Sequence, residues 1–115
     1  MITKFKIFEN EIEIQQDDLK IGDWVICNVT QADSEFVDYV YSHIGCFVGK
    51  DDKYENTLEA NYMVMYKNVT KQFREYCIEF KKYQNCVSFY RYEIKYWSPN
   101  KEDCEAYMMA NKYNL

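Results

Sequence analysis

Backbone residues at both extremes of stiffness are scarce: the chain holds three glycines and one proline. That scarcity excludes collagen-like, linker-rich and low-complexity architectures. It also leaves the turns to Asn, Asp and Ser, which reach turn conformations less freely than Gly. Long apolar runs are missing as well. None approaches the roughly 20 residues that span a bilayer, and the opening stretch is interrupted by Lys4, Lys6 and Glu9 before a signal-peptide core can form. A cytoplasmic protein with no membrane partner is therefore expected. Positive charge is in deficit, with 14 Lys and Arg against 19 Asp and Glu and a net charge of −5, so no global field gathers DNA or RNA.

Catalytic equipment is thin too. His43 is the only histidine. The cysteines Cys27, Cys46, Cys77, Cys86 and Cys104 include no C-x-x-C pair, and their odd number cannot be fully paired within the chain. Inside apolar patterns a free Cys acts as a small hydrophobe, so five free thiols and no bound metal are expected. No P-loop, dinucleotide fingerprint, HExxH or GxSxG motif occurs. Cys46 is near His43 in sequence, but no third group is evident to orient such a pair. Carboxylate pairs such as Glu11 with Glu13 and Asp51 with Asp52 read as solvated charge. Asn28 and Asn68 open glycan-acceptor triplets that mean nothing without export. The expectation is a non-enzyme with no cofactor.

What the chain has in quantity is Phe, Tyr, Met, Ile, Asn and Lys, together 54 of its 115 residues, against ten Gly, Ala, Arg and Pro. The first group is written with A/T-rich codons and the second with G/C-rich ones. A low-GC bacterial, phage or large-virus gene fits, and the bias inflates Tyr and Asn without functional cause. The length suits one domain with one core. Residues 1–18 alternate loosely, as an extended arm does. Strands are expected over about 23–29, 44–50, 62–66 and 86–90, with a short fifth over 94–97. Residues 30–43 suit a long loop or a short helix, and 51–60 a solvated hairpin loop. In 67–85, Val69, Phe73, Tyr76, Cys77 and Phe80 recur at helical spacing. Ser98 and Pro99 are a helix start, N-cap then first helical residue, for a helix over 99–112 with a stripe of Cys104, Tyr107 and Met108.

The strand openings Ile21-Gly22-Asp23-Trp24-Val25 and Ile44-Gly45-x-x-Val48 precede Tyr62–Val64, Cys86–Tyr90, the short turn Arg91–Glu93 and Ile94–Trp97. Taken in that order over residues 19–98, they resemble the SH3-like small barrels, including KOW-type modules. The resemblance implies a mainly β, five-stranded SH3-like barrel, here with insertions at 30–43 and 67–85 and a C-terminal α-helix, in which Gly45 and Gly49 permit sharp strand curvature. It also implies a ligand groove at the strand termini, where Trp24, Tyr90, Tyr92, Tyr96 and Trp97 cluster, and large amphipathic rings suit binding surfaces. Charge offers two further surfaces. Residues 30–60 carry Asp33, Glu35, Asp38, Asp51, Asp52, Glu55 and Glu59 against Lys50 and Lys53, and residues 67–82 carry Lys67, Lys71, Arg74, Lys81 and Lys82 against Glu75 and Glu79.

The function expected is a non-catalytic protein–protein interaction or inhibitor module. It would be encoded by a phage or mobile element and directed at a host defence or nucleic-acid-processing protein. The partner is then a host or viral protein, met through the aromatic groove or through Asp33, Glu35 and Asp38. The alternatives are a nucleic-acid-binding barrel that uses the basic 67–82 insertion, and a small virion component.

Overall fold

A computed structural model describes residues 18–30, 32–54 and 59–113; the expected arm, apart from Asp18, lies outside the described residues. Alternation of side chains explains the sheet that follows. Strand β1 (Trp24–Cys27) turns Val25 and Cys27 into the core and Trp24 and Ile26 to the opposite face. Strands β2 (Gly45–Lys50) and β3 (Tyr62–Met65) repeat this, with Phe47 and Val64 on the core side and Val48, Met63 and Met65 on the other. Gly49, at φ +124°, lies where the β2–β3 register shifts between Phe47 and Gly49, a backbone conformation that suits glycine. Gly45 is required by packing instead, because a Cβ there would run into Val64 Cγ1.

Between β1 and β2 the chain forms helix α1 (Ser34–Ser42), which buries Tyr39 and Val40. A 3₁₀ turn (Asp52–Tyr54) follows β2. After β3 comes a one-turn helix α2 (Lys71–Arg74), whose first turn is capped by the Thr70 hydroxyl accepting the Phe73 N–H at 3.1 Å. Strands β4 (Ile78–Phe80), β5 (Tyr83–Phe89) and β6 (Ile94–Ser98) complete the sheet, with a second 3₁₀ turn (Arg91–Glu93) between β5 and β6. Helix α3 (Lys101–Tyr113) ends the described chain.

All pairings are antiparallel and the order is β4-β5-β3-β2-β1-β6. This mainly β sheet corrects the expected five-stranded barrel in two respects. A sixth strand, β4, forms where helical spacing had been read, because the helical pattern ends after one turn and the chain extends at Ile78 to pair with Cys86. The sheet is also open: among the described residues nothing joins its edges, β4 and β6, into a ring.

Both faces are covered, unequally. On one, α1 and α2 close a core of Val25, Cys27, Phe47, Val64, Val87, Phe89 and Ile94 with an aromatic stack of Tyr39 on Phe73 at 3.8 Å between ring centroids. On the other, Val48, Met63, Phe80 and Cys86 cluster near β4, while α3 lies over β1 and β6. No helix among the described residues is long and apolar enough to cross a membrane.

Candidate functional site: a cleft between helix α3 and the sheet

The turn after β6 decides where α3 goes. The Ser98 hydroxyl accepts the Asn100 N–H at 3.1 Å and donates to the Asp103 carboxylate at 2.6 Å, holding the helix entry. Helix α3 then crosses back over β1, and the buried Cys104 thiol donates to the Trp24 carbonyl at 3.5 Å. Tyr107 stacks on Tyr96 of β6, centroids 4.5 Å apart and planes 4° from parallel. One flank of α3 is thereby fixed to the sheet. Along the other flank a cleft of about 730 Å³ opens between α3, β1, β2, the end of α1 and the loop after β3. That volume lies within the ~300–1,000 Å³ usual for ligand sites.

Trp24, Ile26, Ile44, Cys46, Met65, Met108 and Met109 give the cleft its apolar lining, and Lys67, Lys95, Lys101 and Glu105 its charge. The indole of Trp24 is half-buried, and two ammonium groups approach it: Lys101 Nζ at 5.2 Å from a ring centroid and Lys67 Nζ at 5.8 Å. His43 also lines the cleft. Its ring stacks on Tyr39 at 3.8 Å, and its Nδ1 lies 2.9 Å from the Tyr39 carbonyl, which fixes the proton on Nδ1 as the donor of that bond. His43 is thus held in place against the end of α1.

Burial raises all five thiols above their ordinary range. Burial pushes Cys86 up to about 11 and Cys104 up to about 12 and raises Cys27 well beyond the ordinary range. Cys46, which lines the cleft, and Cys77 are raised for the same reason, against the opposing pull of Lys67 and Arg74. A protonated thiol is a poor nucleophile and a poor metal ligand. Among the described residues no three His, Cys, Asp or Glu side chains gather as a metal-binding group.

The residues singled out from sequence fall in several places. Trp24 is in the cleft, and Tyr96 supports its wall through Tyr107. Trp97 faces the opposite side and packs against the main core; its Nε1 donates to Asp18 at 3.0 Å, and the Arg91 guanidinium lies 4.6 Å over a ring centroid. Tyr90 and Tyr92 stack on each other at 5.3 Å about the second 3₁₀ turn, both exposed. Asp33 accepts the Tyr76 hydroxyl at 2.9 Å, while Glu35 and Asp38 border a shallow depression of about 290 Å³ between α1 and α2. The aromatic set does not form one groove. Lys67 is singled out in the sequence only as part of the basic 67–82 stretch and Met108 only as part of the α3 stripe, while Met65 and Lys101 carry no sequence signal as site residues.

Comparison with protein-family models, with curated proteins and with solved structures finds no match for the chain.

Proposed function

We propose that the protein is a non-catalytic, SH3-like binding module that engages another protein through the cleft between α3 and the sheet. The observation that carries this reading is the cleft itself, where an indole and several methionine side chains are left in contact with solvent-accessible space. Thioethers and aromatic rings adapt to apolar partner side chains. The SH3-like part of the reading draws support from the order β6-β1-β2-β3-β5 and from the 3₁₀ turn before the last strand. The small size, the acidity and the absence of catalytic motifs suit a phage or mobile-element product directed at a host protein, with inhibition as its effect.

The basic 67–82 stretch gives less support to nucleic-acid binding. Lys67 is on the cleft and Lys71 and Arg74 are on α2, while Lys81 and Lys82 stand at the β4–β5 turn, each over its neighbouring ring, Phe80 and Tyr83.

The test is photo-crosslinking in cells that express the protein, with a benzophenone side chain in place of Met109, which lines the cleft, or of Ile78, which does not. Both are more than half exposed, at 56 % and 53 %. Protein adducts at Met109 but not at Ile78 are expected. Nucleic-acid adducts, or none at Met109, would overturn the proposal.

A further inference from the structure

Building on that reading of the cleft, we infer that its occupant is an acidic segment of the partner protein, with a carboxylate seated against Lys67 and Lys101 and an apolar side chain on the floor beside Trp24. The two lysines come from distant parts of the chain. Lys67 follows the buried Tyr66 at the end of β3, and Lys101 opens α3. Folding brings both ammonium groups to the same indole, and Lys95 of β6 adds a third cation to the lining against one carboxylate, Glu105. In a chain of net charge −5, this local excess runs against the sign of the whole.

Among the described residues the indole, and no carboxylate, is the partner of Lys67 and of Lys101. An exposed cation–π contact is weak, and two like charges about one ring repel each other. Lys101 also stands at the positive end of α3, where a cation is disfavoured. An arriving carboxylate relieves both conflicts at once and gains charge-assisted hydrogen bonds. A single strand of nucleic acid fits less well. Its bases need an open aromatic face for stacking, and the Trp24 ring already carries two ammonium groups within cation–π distance. Beside the lysines, Met65 and Met108 offer an apolar surface that a neighbouring Leu, Met or Phe of the partner can fill.

The experiment uses the full chain and a displayed library of randomised short peptides, with occupancy of the cleft read as a shift of the Trp24 indole N–H resonance. Peptides that occupy the cleft are expected to be rich in Asp and Glu next to Leu, Met or Phe. They should bind Lys67→Ala/Lys101→Ala about five- to tenfold more weakly, the scale of two partly exposed ion pairs. The Lys67→Arg/Lys101→Arg variant should retain them. Glu105→Gln, on the exposed rim, should bind about twofold more tightly and tests the same charge in the opposite sense if the alanine variant is poorly folded. Cleft-occupying peptides that are neutral or basic, or that ignore these substitutions, would overturn the inference and leave the protein-binding reading intact. If no peptide moves the Trp24 resonance, or a single-stranded oligonucleotide moves it and displaces the peptides, both fall.

Discussion

Gly45 is useful for what it lacks. With Val64 Cγ1 in the path of a Cβ and the Tyr66 ring 3.0 Å from it, Gly45→Ala is expected to cost ~1–3 kcal/mol, the usual scale of overpacking. The measurement is the urea midpoint at unchanged slope; an unaltered midpoint would show that the neighbours yield freely. Tyr39 and Tyr66 present the reverse situation. Both hydroxyls are buried with no conventional hydrogen-bond partner among the described residues, the Tyr66 hydroxyl facing the Cys27 thiol. Leaving such a group unpaired costs roughly 1–3 kcal/mol, so Tyr39→Phe, which removes the hydroxyl that bonds no thiol, should hold or raise the melting temperature, and a clear fall would contradict this account. The thiols give a pH dependence with a definite sign. Cys86 and Cys104 ionise at about 11 and about 12 in the folded chain, against 9.0 for an unperturbed thiol. The folded state keeps its protons longer, so the stabilisation is whole below about pH 9 and is lost as pH rises through the folded values. Urea midpoints should be level near neutrality and fall from about pH 9 upward, and a profile flat to about pH 11 would refute the burial of these thiols.

The elements divide by how locally each is specified. Five strands are legible in the sequence because β-branched and aromatic residues alternate along them. The start of α3 is legible to within two residues: Ser98, the last residue of β6, holds the turn by accepting the Asn100 N–H, but Pro99 lies before the helix, which begins at Lys101 and not at 99. Ser98→Ala should therefore cost ~1 kcal/mol and speed amide exchange at Asn100 and Asp103; exchange at the wild-type rate would show the cap to be idle. Residues 30–43 stay open between loop and helix in sequence, because the apolar run Phe36, Val37, Tyr39 and Val40 suits either until the core receives it. Strand β4 is not legible at all. Ile78 and Glu79 are exposed, Phe80 alone is buried, and pairing with β5 defines the strand. The aromatic groove separates for a reason of strand geometry: neighbours on a strand face opposite ways, so Tyr96 and Trp97 cannot share a surface. Trp24 was identified as a binding residue by its chemistry. Lys67 is legible only as one of the basic 67–82 residues and Lys101 not at all, since what joins both to Trp24 is the return of α3 across the sheet.

At the scale of the whole molecule, β1 lies inside the sheet, between β2 and β6, and the helix bond that fixes the cleft links Cys104 to a carbonyl eighty residues away. Pairings of such long sequence separation are slow to form, since loop-closure entropy must be met before they contribute. Unfolding followed by the Trp24 indole N–H resonance and by far-ultraviolet circular dichroism should coincide in one transition, and a cleft lost well before the sheet would contradict this. During synthesis the same arrangement acts as an inspection. A nascent chain that has not yet produced β6 and α3 has the indole but neither Lys101 nor the wall that encloses it, so it has no cleft to offer. The cleft therefore waits on residues 94–113, and no shorter piece of this chain that stops before them can form it.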